Sequence, residues 1–138
     1  MAQPLELAVA SDPANLEQIA EFVTAAAAAL GLDEQRAFEL QMAVDEACTN
    51  IIQHAYGPGV AGEILIRCEI EGDDLVVILR DRGRPFDPNE APQPDTTCSL
   101  EERQVGGLGI YFMRKLTDRL VFRCGPEGNE LRLYKRRH

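Results

Sequence analysis

The stretch EILIRCEIEGDDLVVILR, residues 63–80, constrains the fold more than any other part of the chain. Its first half alternates. Ile64, Ile66, Cys68 and Ile70 share one face, with Arg67 and Glu69 opposite. That period of two marks a half-buried strand. The second half, LVVILR, is almost continuously apolar, which suits a central strand covered on both faces. Only Glu71-Gly72-Asp73-Asp74 separates them, enough for a turn. Strands joined so closely pair antiparallel.

The remaining elements arrange themselves around this pair. LELAVA, residues 5–10, is a short strand candidate. Asp12-Pro13 is a helix start, a capping acid followed by proline at the first helical position. Leu16, Ile19, Ala20, Val23, Ala27 and Leu30 then recur at helical spacing until Gly31. Asp33 caps a second helix, predicted to run to about Tyr56, where Gly57-Pro58-Gly59 ends it. Residues 82–105 show neither period and contain Pro85, Pro88, Pro92 and Pro94. Loops of that length inside a compact domain are usually functional lids or disordered. GGLGIYFMRKLTD opens a third, short helix, and LVFRC with ELRLYKR forms a closing hairpin. The order β-α-α-β-β-loop-α-β-β implies one α+β domain over residues 1–138. It is a two-layer sandwich, with a mixed, mostly antiparallel sheet and the helices on one face.

Charge and composition exclude several function classes. The 138 residues carry a net charge of −9, which argues against direct nucleic-acid binding. The imbalance lies in residues 1–69, with 11 acids against 2 bases, while residues 70–138 hold 12 of each. No run of 18 apolar residues predicts a membrane span, and MAQPLELAVASD lacks the pattern of a signal peptide. A cytoplasmic location is the resulting expectation. Cys48, Cys68, Cys98 and Cys124 are widely spaced. They read as isolated structural thiols, without a zinc site or a disulfide framework.

Three short segments could carry chemistry. Glu46, Asn50 and His54 recur every four residues on the second helix, stacking on one face where a core helix would be apolar. Asp81-Arg82-Gly83 follows the most buried strand, and Gly106-Gly107-Leu108-Gly109 opens the third helix. Each alone has a plain structural explanation, as a solvated stripe, a turn and a flexible loop. Together they describe a nucleotide pocket. Glycine amides at a helix N-terminus suit polyphosphate. An asparagine carbonyl suits Mg²⁺, which takes its remaining oxygens from phosphate and water. A buried aspartate can accept from the adenine amino group.

EACTNIIQHAY, DRGRPFDP and GGLGIYFMRKLTD resemble the N box and the two glycine boxes of the GHKL (Bergerat-fold) ATPases. That superfamily includes gyrase, MutL and the histidine kinases. The chain looks most like the stand-alone anti-sigma-factor serine/threonine kinases of the RsbW type, over roughly residues 5–137. The resemblance assigns Mg²⁺ to Asn50, the catalytic base to Glu46, and adenine to Asp81 with its companion Gly83. It gives the phosphates to Gly106, Gly107, Leu108 and Gly109. Residues 87–105 correspond to the ATP lid, and Arg103 to a basic residue reaching the γ-phosphate. His54 reads as structural support. The family's first helix often carries an arginine that contacts partners, whereas residues 15–30 here contain Glu17 and Glu21 and no base.

The resemblance implies an ATP- and Mg²⁺-dependent protein kinase. It would phosphorylate a serine or threonine of a STAS-type anti-sigma-factor antagonist and sequester a sigma factor, often as a homodimer. The competing expectation is a nucleotide-dependent interaction module that binds ATP without phosphoryl transfer.

Overall fold

The structure, a computed structural model, describes residues 5–57, 59, 62–83 and 108–138. Five strands form one sheet: β1 (Leu5–Ala10), β2 (Glu63–Glu71), β3 (Asp74–Asp81), β4 (Arg119–Gly125) and β5 (Gly128–Arg136). Their order is β1-β2-β3-β5-β4, and all four pairings are antiparallel. The apolar run LVVILR is therefore the central strand, as its composition demands. Leu75, Val77 and Leu79 face the main core, while Val76 and Ile78 face a smaller cluster with Tyr134 on the other side.

Three helices supply the second layer: α1 (Leu16–Ala29), α2 (Glu34–Asn50) and α3 (Leu108–Leu116). Ile19, Val23, Leu40, Val44 and Met113 pack with Ile64, Ile66, Leu79 and Leu133 in one core. The helix starts follow their caps. Asp12 accepts from Ala14 N at 2.9 Å and opens a 3₁₀ turn at Pro13–Asn15 that leads into α1. Asp33 accepts from Arg36 N at 2.8 Å and begins α2. Gly31, at φ +100°, takes the left-handed conformation that lets the chain reverse between them.

The far face of the sheet has no helix layer among the described residues. Charged side chains roof its apolar cluster instead. The Arg119 guanidinium lies 3.9 Å from the Tyr134 ring centroid, a cation–π contact. Arg67 pairs with Glu6 and Glu69, and Arg132 with Glu71 and Glu130. Such part-exposed pairs contribute little individually, about 0–1 kcal/mol; their aliphatic stems do the covering.

Cys48 and Cys68 are free and buried, in line with structural thiols. Cys124 is different, because it is disulfide-bonded. This corrects the expectation of isolated thiols throughout: linear spacing says nothing about cysteines brought together by the fold. Cys98 lies outside the described residues.

Candidate functional site

The second helix changes character where the polar stripe begins to matter. Its α-helical part ends at Asn50, and Ile51–Tyr56 continues as a π-helical turn, closed by Gly57 N donating to Ile52 O at 3.1 Å. Turns of this kind are rare and frequently mark functional sites. Glu46 and Asn50 stand half-buried on the regular helix, whereas His54 sits exposed on the widened turn. The uniform stripe predicted through all three residues therefore stops at Asn50. Asn50 Nδ2 is buried and finds no hydrogen-bond partner, an unusual state for an interior amide.

The π turn delivers its last two residues onto the exit of β3. Gly83 is buried against Ala55; a Cβ at Gly83 would stand 2.6 Å from the Ala55 carbonyl carbon and Cβ, closer than real atoms approach. The Tyr56 hydroxyl accepts from Arg82 N at 2.7 Å. Residues 55–56 thus clamp residues 82–83. The helix that carries Glu46 and Asn50 is joined directly to the Asp81-Arg82-Gly83 segment.

Asp81 is held from both sides. It is 6% exposed, and its Oδ1 accepts from Gly83 N at 2.9 Å and from Asn129 Nδ2 at 2.7 Å. Asn129, itself buried, also donates to Gly83 O at 3.1 Å. A buried carboxylate requires such donors. Burial pushes the Cys48 thiol well above its ordinary range, and the carboxylates of Asp45 and Asp81 add to the effect.

Leu108 and Gly109 open α3, which packs on α2. Gly106, Gly107, Arg103 and the lid at 87–105 fall outside the described residues. A cleft of about 1250 Å³ lies at the same end of the sheet, lined by Tyr56, Leu65, Arg80, Asp81, Arg123 and Glu130 among others. It contains neither Glu46 nor Asn50. Leu65, Arg80, Glu130 and Arg123 form one cross-strand row there.

A family model for the histidine kinase-like ATPase domain matches residues 9–135. The chain belongs to this family. Among curated relatives, it is 35% identical over 121 residues to the serine-protein kinase RsbW of Bacillus subtilis, covering 85% of this chain and 76% of that one. It is 31% identical over 96 residues to the serine/threonine-protein kinase BtrW of Bordetella bronchiseptica, covering 70% and 68%. A crystal structure of the RsbU and RsbW domains of Rv1364c from Mycobacterium tuberculosis superposes with a TM-score of 0.70 at 18% identity. That match covers 98% of this chain but only 32% of the longer one, and it speaks to fold alone.

The GHKL resemblance and the two-layer fold are thus established, and the RsbW-type relatives are ATP-dependent serine/threonine protein kinases by class, as the sequence led one to expect. Among the described residues, no helix is long and apolar enough to cross a membrane. For a member of the histidine kinase-like ATPase family, two parts of the site escaped sequence reading. Asn129 sits in PEGNE, which reads as turn chemistry, and Tyr56 reads as the end of an amphipathic helix. The Gly-Asn step beside a strand was the one available signal for Asn129. Nothing in the linear pattern marked the Tyr56 hydroxyl.

Proposed function

We propose that this chain binds Mg·ATP between α2 and the end of β3, and transfers the γ-phosphoryl group to a serine or threonine of a STAS-type anti-sigma-factor antagonist. The observation that carries the reading is the doubly held Asp81, joined through Gly83 to the turn that follows Asn50. Asp81 would take the adenine amino group, with Asn129 fixing its carboxylate. Asn50 Nδ2 is a buried donor without a partner, which fits an acceptor oxygen of a bound ligand; the Oδ1 of the same amide is the atom that would hold the ion. Among the described residues, no cluster of three or more His, Cys, Asp or Glu side chains could hold a metal. Mg²⁺ would therefore rest on Asn50 and on oxygens from phosphate and water, its common mode in nucleotide sites. When bound, it neutralises charge on the transferring phosphoryl group.

The protein's own task is positioning. Glu46, one turn before Asn50, would orient the acceptor hydroxyl and take its proton. Arg103 and the Gly106–Gly109 amides would meet the γ-phosphate from the other side. The acceptor would be a protein, because the same stripe continues outward. Phe38, Met42, Glu46 and Asn50 recur at four-residue spacing on α2, and Phe38 and Met42 are exposed. Apolar surface leading to the catalytic acid suits a docking protein more than a small molecule. Once the antagonist is phosphorylated, the kinase would be released to sequester a sigma factor, with homodimerisation as in the family.

A second reading has one specific support. The exposed side of α1 presents Glu17 and Glu21 and no base, whereas the first helix of related anti-sigma factors often carries an arginine that contacts partners. On that reading the chain is an interaction module in which ATP alters the partner surface without transfer. Calorimetric titration with ATP, with and without Mg²⁺, tests the site. Incubation with γ-phosphate-labelled ATP and a STAS protein then separates the readings. Label on the partner supports the kinase, and binding without label supports the module.

A further inference from the structure

We propose that Tyr56 is a positioning residue of the nucleotide site, whose hydroxyl acts as an added rung between β2 and β3 and so sets where the base-binding segment leaves the sheet. The inference rests on the nucleotide-binding reading above and extends it to a residue outside the three sequence boxes' ligand set. The β2–β3 register ends at Ile64↔Asp81. Continued by one step, it would pair Glu63 with Arg82. Instead, the Tyr56 hydroxyl occupies that position. It donates to Glu63 O at 2.7 Å, and accepts from Arg82 N at 2.7 Å and Glu63 N at 3.3 Å. One donor and two acceptor sites are all that a hydroxyl has, so its capacity is fully used.

The insertion has a geometric consequence. The two strands part around the phenol, and Arg82 N is tied to the helix layer instead of to β2. Asp81 and Gly83 flank Arg82, so the anchor fixes both the carboxylate and the glycine against Ala55. The π turn is what makes the reach possible, because it changes the direction of Tyr56 relative to a regular continuation of α2. Gly62 completes the device. A Cβ there would collide with the Tyr56 ring at Cε1, Cζ and Cδ1, so the ring needs a residue without a side chain beside it. The Tyr56 oxygen thus adds a hydrogen-bonded link between the Asn50-bearing helix and the Asp81 segment, beside the packing of Gly83 on Ala55.

The test uses Tyr56→Phe, which keeps the ring and removes the rung. Affinities for ATP and GTP, with Mg²⁺, are measured by calorimetry on wild type and variant, beside thermal melting. The expected result is an ATP affinity lowered by about three- to tenfold, from a base-binding segment that is no longer held in place before ATP binds. The preference for ATP over GTP narrows, the maximal phosphoryl-transfer rate at saturating ATP stays within about twofold of wild type, and the variant still melts cooperatively. Gly62→Ala, which displaces the ring from the other side, should reproduce the loss and the narrowed preference. Unchanged ATP affinity and preference in either folded variant overturns the positioning role. Absence of ATP binding by wild type overturns the underlying nucleotide site as well, so the two failures are distinguishable.

Discussion

Asn129 donates its amide to the Asp81 carboxylate at 2.7 Å, across 48 residues of sequence and from the neighbouring strand β5. The pair lies at the last rung of the β3–β5 ladder, Asp81↔Asn129. Both residues are buried. The sheet therefore presents a carboxylate whose orientation is set before any ligand arrives, which reduces the ordering cost of binding. The arrangement also separates two effects by mutation, the charge of Asp81 and the grip of Asn129.

Asp81→Asn keeps an oxygen able to accept from Gly83 N and Asn129, and removes the charge. The fold should survive. Adenine nucleotide binding should weaken by about 1.5–3 kcal/mol, the range for a hydrogen bond to a charged group. Titration calorimetry on the purified variant checks this. Wild-type affinity in a folded Asp81→Asn protein would remove Asp81 from the base site.

Asn129→Ala leaves the charge and removes the grip. A buried carboxylate then loses one of its donors, so both stability and ATP affinity should fall, stability by about 1–3 kcal/mol. Urea denaturation midpoints and ATP titrations report the two losses together. A variant equal to wild type in both would reduce Asn129 to a space-filling residue of the hairpin.

The sequence made the sheet and the helix starts legible because both rest on local chemistry. The Glu71–Asp74 turn forced the β2–β3 hairpin, Asp33 capped α2 where predicted, and Asp12 capped the 3₁₀ turn that leads into α1 three residues later. The Asp81 segment was recognisable as well, although Gly83 proves to be required by its contact with Ala55, a contact between distant parts of the chain. The rest was invisible for a physical reason. A π turn shifts hydrogen bonding by one residue while leaving the apolar pattern unchanged, so Ile51–Tyr56 looked like ordinary helix. A long-range partner such as Asn129 depends on strand register, which no single segment encodes.

Glu46→Gln and Asn50→Ala divide chemistry from metal use. The first should keep ATP binding and lower phosphoryl transfer to a STAS acceptor by about a hundredfold or more, the scale of a lost general base. The second should abolish the extra ATP affinity that Mg²⁺ confers, because the amide oxygen is the proposed contribution of the protein to the ion. Stopped transfer assays and paired titrations, with Mg²⁺ and with EDTA, read these outcomes. Full transfer by Glu46→Gln would exclude Glu46 as base, and an intact Mg²⁺ effect in Asn50→Ala would exclude Asn50 as ligand.

The buried thiols predict a specific alkaline weakness. Burial pushes Cys68 up to about 12, and raises Cys48 well above the ordinary value of 9.0. Below pH 9 both thiols are protonated in the folded and unfolded chains alike, so their contribution to stability is fully present there. Above pH 9 the unfolded chain sheds those protons while the native chain keeps them. The native state then binds more protons, and stability must fall as pH rises, each thiol contributing up to about 1.4 kcal/mol per pH unit. Urea midpoints measured from pH 8 to pH 10.5 should therefore decline. The control is the double variant Cys48→Ala, Cys68→Ala compared at each pH. It should start less stable at pH 8, because two core side chains are shortened, yet lose stability more slowly above pH 9. Native wild type should also resist a thiol-specific reagent at both positions until unfolded, since the reactive thiolate is suppressed by burial. Parallel alkaline limbs for the two proteins would show that neither thiol is protonated by its burial.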